Sequence, residues 1–150
     1  MGADTVTTAS NSTSPASTVG ADRVPSVFIS YRRDESLPTA SAMARHLRED
    51  LSSVCVFRDE DDLIGGQDWR RALETAMASA AAAIVLAGSD WAGGARPGER
   101  RIDDVEDPVR EEVRQALSPS TRVRAIPVLL DGASPAPNVP DDIAELFDAP

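Results

Sequence analysis

Val27-Phe28-Ile29-Ser30-Tyr31 runs directly into Arg32-Arg33-Asp34-Glu35-Ser36. The first five residues are mostly β-branched or aromatic and do not alternate with polar ones. They therefore predict a strand covered on both faces, as a parallel sheet requires. Three more such runs follow: Val54-Cys55-Val56-Phe57, Ala83-Ile84-Val85-Leu86-Ala87, and Val123 to Leu130. Amphipathic segments lie between them. Met43, Leu47 and Leu51 form one apolar stripe, and Trp69, Leu73, Ala76, Met77 and Ala80 a second. Val109, Val113, Ala116 and Leu117 form a third. Strands and helices alternating in this order, with right-handed crossovers, predict an α/β fold with a doubly wound parallel sheet.

The bulk composition fits one such domain. A chain of 150 residues can bury a genuine core, and 41% hydrophobic residues with only 4% aromatics implies packing by Val, Leu, Ile and Ala. Residues 1–25 are Ser, Thr, Ala and Gly with almost no large apolar side chains, which predicts a disordered tail; the domain is expected over 26–150. No apolar run approaches the ~20 residues of a spanning helix, so no membrane partner is expected. A formal net charge of −10 argues against a nucleic-acid partner, because phosphate-backbone binding rests on clustered cations. All 15 basic residues are Arg. Cys55 is the single cysteine, so no disulfide framework exists and a reducing, cytoplasmic setting is expected.

In doubly wound sheets ligands sit beyond the carboxyl ends of the strands. That rule selects Arg32 to Ser36, Arg58-Asp59 onward, and Gly88-Ser89-Asp90-Trp91. Asp59 to Gln67 is an acidic loop in which Gly65-Gly66 permits a sharp re-entry into the next helix. Ser89 to Asp107 is long enough to predict a mobile lid.

Within the third helical segment, Asp107 and Pro108 mark a helix start. On a helical wheel Glu111 lies about 175° from the centre of the apolar stripe and Glu112 about 85° from it. Glu111 is therefore expected in solvent and Glu112 on the stripe's border. Two readings of Glu112 are open: a cleft carboxylate whose role is tuned by shelter, or a surface acid favourable to the helix dipole. Arg32 and Arg33 are the available pyrophosphate donors, because a planar guanidinium binds phosphate in bidentate fashion; the alternative is pairing with neighbouring acids. Asp59-Glu60-Asp61-Asp62 lacks the spacing of a calcium loop, no His supports a transition metal, and no Gly-rich phosphate loop is present. No metal is expected, and His46 reads as a surface residue.

Val27-Phe28-Ile29-Ser30-Tyr31-Arg32-Arg33 resembles the opening strand of TIR (Toll/interleukin-1 receptor) domains. Val56-Phe57-Arg58-Asp59 with Gly65-Gly66 resembles their second strand and following loop. Ile84 to Trp91 resembles the third-strand segment of bacterial members. Asp107 to Leu117 resembles the helix that bears the catalytic glutamate in NAD-cleaving members, with Glu112 in the catalytic place. The resemblance departs at Pro108, where such relatives often carry an aromatic, and the chain stops where a fifth strand and last helix would follow.

The resemblance implies a flavodoxin-like sheet, abbreviated or part of a longer protein. It also implies an NAD glycohydrolase that uses NAD as substrate with no cofactor, in bacterial immune or cell-suicide signalling. Glu112 would be catalytic, and Tyr31, Arg32, Arg33, Ser36, Asp59, Gly65 and Trp91 would line the substrate. The competing reading is a non-catalytic module that associates with itself or with other TIR domains through the 59–67 loop.

Overall fold

A computed structural model of the chain describes residues 25–51, 55–58, 69–93 and 98–148. The expectations for the tail before residue 25, for the 59–67 loop and for Asp59 and Gly65 lie outside these residues.

The first strand, β1 (Ser26–Ser30), leads into helix α1 (Arg33–Asp50), followed by β2 (Cys55–Arg58). Helix α2 (Trp69–Ser79) passes directly into β3 (Ala80–Ala87). A 3-10 turn at Arg101–Asp103 precedes helix α3 (Pro108–Leu117), then β4 (Arg124–Leu129) and a 3-10 segment, Asp141–Phe147. All described strand pairs are parallel, in the order β2-β1-β3-β4. The expected doubly wound α/β sheet is the one the chain forms.

Its two faces are packed differently. On one face Ala40 and Ala44 of α1 are both 0% exposed against Ile29, Tyr31, Val56 and Leu86. Two alanines one turn apart let the helix axis approach the strands closely. Ser36 has non-helical φ and ψ, and Pro38, two residues on, lacks the N–H that would bond back to Asp34. The start of α1 is therefore kinked over the end of β1.

On the opposite face α2 sets Leu73, Ala76 and Met77 against Phe28, Ala83 and Ala116. Val109 and Val113 of α3 share a third cluster with Val85, Trp91, Ile102, Ile143 and Leu146.

Two stripe residues differ from expectation. Leu51 caps α1 beyond its last packed turn and is 43% exposed, while Trp69 begins α2 and is 36% exposed beneath the Arg70 guanidinium. Both stand at helix ends, where the periodicity continues but the partner surface does not.

The order β2-β1-β3 means that the chain leaves β1 to one side and returns to the other. Crossovers in opposite directions open a crevice at the carboxyl ends of β1 and β3. This is the place in the fold where a ligand site is expected.

Candidate active site at the β1–β3 crevice

Three chain segments meet at this crevice, and Arg32 ties them together. Its Nη1 and Nη2 donate to Oδ1 and Oδ2 of Asp107 at 2.6 and 2.8 Å, and its Nε donates to the Trp91 carbonyl at 2.8 Å. Asp107 is also the N-cap of α3, accepting from the Arg110 amide at 3.1 Å. One guanidinium thus fixes the exit of β1, the exit of β3 and the start of α3. The neighbouring segments add further ties. Glu35 Oε1 accepts from the Asp90 amide at 2.6 Å, and Arg101 donates both to Asp34 Oδ1 and Oδ2. Gly88 is needed beneath Glu35, because a Cβ there would lie 2.3 Å from Oε1.

The pyrophosphate role expected for Arg32 is corrected by this geometry. Its side chain is 4% exposed and its fork is already matched to a buried carboxylate, so it is structural. Arg33, the first residue of α1, is exposed at the same edge.

Tyr31 and Trp91, expected against substrate, are core residues, each 1% exposed. Tyr31 packs under α1, and Trp91 meets the Phe147 ring edge-on with centroids 5.4 Å apart. Ser36 is buried at the kink of α1 and donates to the Arg32 carbonyl. The described parts of the segment expected as a mobile lid, 89–93 and 98–107, are anchored instead. Trp91, Ile102 and Asp107 are buried, and the Arg101 amide donates to the Gly93 carbonyl.

On α3 the two glutamates diverge less than the wheel implies: the Glu111 side chain is 15% exposed rather than fully in solvent, and Glu112 is buried. Glu111, expected in solvent, accepts from Arg114 at 2.6 and 2.8 Å and from Gln115 at 2.8 Å. The Arg114 hydrogen bond holds its carboxyl below the usual carboxylate range, and Glu111 in turn raises the Arg114 guanidinium. Glu112 is 3% exposed, deeper than a border position alone implies. It precedes Ala116 by one helical turn, and Ala116 packs with Phe28, Leu73 and Met77, so Glu112 belongs to the row facing α2 and β1. Because α3 begins at Asp107, beside the end of β1, Glu112 lies toward the same edge as the crevice.

A separate cleft of about 650 Å³ opens at the opposite edge of the sheet. It lies between Met77, Ala78 and Ala80 on one side and Arg114, Gln115 and Ser118 on the other. It contains neither Glu112 nor a crevice residue.

The residue that sequence reasoning missed is Ser30. It closes β1 with 1% exposure, and its Oγ has no hydrogen-bond partner among the described residues. Its signal was a hydroxyl at the carboxyl end of an apolar run, Val27 to Ile29.

A sequence profile of the TIR domain matches residues 27–148. No curated protein matches the chain. Among solved structures, the TIR domains in the activated Roq1 resistosome directly recognizing the pathogen effector XopQ are similar at 17% identity and a TM-score of 0.48. That likeness covers 71% of this chain and 58% of the other. Among the described residues no helix is long and apolar enough to cross a membrane.

Proposed function

The chain belongs to the TIR domain family, and from that premise we propose that it is an NAD glycohydrolase acting through Glu112. The observation that carries the proposal is the burial of this one carboxylate, 3% exposed, on the helix that starts beside the β1–β3 crevice. Keeping an acid from water in a row otherwise shared with Ala116 carries a desolvation cost that an apolar side chain would not. Such sites are where a fold keeps a group for chemistry.

The reaction needs little else. In NAD the bond between ribose C1′ and nicotinamide N1 breaks, and its electron pair goes to the ring nitrogen, so nicotinamide leaves as a neutral base. Positive charge develops over C1′ and the ring oxygen. The Glu112 carboxylate would stabilise that charge and accept hydrogen bonds from the ribose hydroxyls. Water then adds at C1′ and releases a proton, leaving ADP-ribose. A protonated leaving-group acid is unnecessary, so Glu112 suffices while the other buried carboxylate, Asp107, stays committed to Arg32.

Arg33 would meet the pyrophosphate, while Arg32 and Asp107 would hold the frame. We take the setting to be bacterial immune or cell-suicide signalling, with self-association or binding to other TIR domains as the route of activation. The test is nicotinamide release from NAD by concentrated protein. Turnover lost in Glu112→Ala and kept in Glu111→Ala supports the proposal; no turnover by the unaltered protein, or equal turnover in all three, rejects it.

A further inference from the structure

Ser30 and Glu112 are brought to one level of the fold by two independent periodicities. Phe28 of β1 and Ala116 of α3 pack in the same core cluster. Side chains alternate along a strand, so Ser30 is on the face of Phe28, displaced toward the carboxyl edge by about 6.6 Å, two residues of strand rise. On α3, Glu112 is displaced from Ala116 toward that same edge by about 6 Å, four residues of helical rise. Equal steps in one direction carry the level shared by Phe28 and Ala116 in this cluster to the pair Ser30 and Glu112. Both are buried polar residues, 1% and 3% exposed.

The Ser30 hydroxyl has no hydrogen-bond partner among the described residues. A buried hydroxyl left unpaired loses its hydration with nothing in return, so such a group calls for an explanation. Alanine at this position would fill nearly the same space without that loss. We propose that Ser30 is a second substrate-contacting residue, and that its hydroxyl and the Glu112 carboxylate together receive the vicinal diol of a ribose. The chemistry is complementary. A carboxylate only accepts, whereas a serine hydroxyl both donates and accepts. Glu112 accepts from one sugar hydroxyl, and Ser30 donates to a lone pair of its neighbour. A nicotinamide ring presents no such pair of adjacent hydroxyls.

The inference rests on the NAD-cleaving reading, and the experiment separates the two. Nicotinamide release is followed for the unaltered chain, Ser30→Ala and Glu112→Gln, with three substrates: NAD and its analogues lacking the 2′ or the 3′ hydroxyl on the nicotinamide ribose. Ser30→Ala is expected to lower kcat/KM for NAD about fivefold, the loss of one neutral hydrogen bond. That loss should vanish on one of the two deoxy analogues. The thermal midpoint of Ser30→Ala should equal or exceed that of the unaltered chain, because an unpaired buried hydroxyl has been removed. Unchanged kcat/KM in Ser30→Ala beside a disabled Glu112→Gln overturns this inference alone. An equal loss on all three substrates also overturns it, by marking Ser30 as structural. No nicotinamide release by the unaltered chain overturns the NAD-cleaving reading and this inference with it.

Discussion

The guanidinium of Arg32 and the carboxylate of Asp107 form a bidentate pair at 2.6 and 2.8 Å, both side chains 4% exposed, between residues 75 apart in the chain. Breaking such a pair leaves an uncompensated buried charge. Arg32→Leu or Asp107→Leu is therefore expected to destabilise the domain by about 3–5 kcal/mol, and Asp107→Leu also loses the N-cap of α3. The double replacement should lose less than the two single ones together. Urea denaturation of the three variants measures this, and strictly additive losses would contradict it.

Arg33 stands next to this pair in sequence and has the opposite exposure. Arg33→Ala should weaken NAD binding by roughly tenfold, the scale of one charge-assisted hydrogen bond. Titration of NAD into a Glu112→Gln background reads this without turnover. Unaltered affinity would remove Arg33 from the site.

Acid should loosen two surface ties. The Arg101 hydrogen bonds hold the Asp34 carboxyl low, and those of Arg114 do the same for Glu111. A carboxyl with a lowered folded pKa stabilises the fold at neutral pH, and that contribution is lost as pH falls below the ordinary carboxylate range, near pH 4. Glu111→Gln should therefore cost no more than about 0.5 kcal/mol at pH 7, as expected of an i,i+3 pair on a helix surface. The difference between variant and unaltered chain should be smaller at pH 3 than at pH 7. Denaturant curves at the two pH values decide it, and a gap that widens in acid would reverse the assigned sign.

Gly88→Ala tests the Glu35 tie. The new Cβ would lie 2.3 Å from Glu35 Oε1, so the carboxylate must swing away from the Asp90 amide. The expected cost is about 1–2 kcal/mol, with faster hydrogen exchange at Asp90. Unchanged exchange there would show that the carboxylate accommodates the methyl without moving.

The frame was legible wherever the pattern was local. Asp107-Pro108 marks the start of α3, and the wheel separates Glu111 from Glu112 because both depend on one helix. The burial of Glu112 was not legible, because the wheel holds no information about α2 and β1, which cover the border. The role of Arg32 was hidden for a similar reason. Its partner lies beyond two strands and two helices, and sequence offers a nearer choice of acids in Asp34 and Glu35. Trp91 read as a loop residue because it follows a strand, yet the 3-10 segment containing Phe147 reaches back to enclose it. Ser30 passed as a strand residue because nothing in the sequence says which face of β1 meets α3.

The most direct measurement is nicotinamide release from NAD by the purified chain at high concentration, beside Glu112→Gln, with folding of both verified by thermal denaturation. Glutamine keeps the shape of the side chain and removes the charge. The account expects measurable release from the unaltered chain and a loss of at least about 100-fold in the variant, the scale of removing one preorganised electrostatic group. Equal release from two equally folded proteins would contradict it.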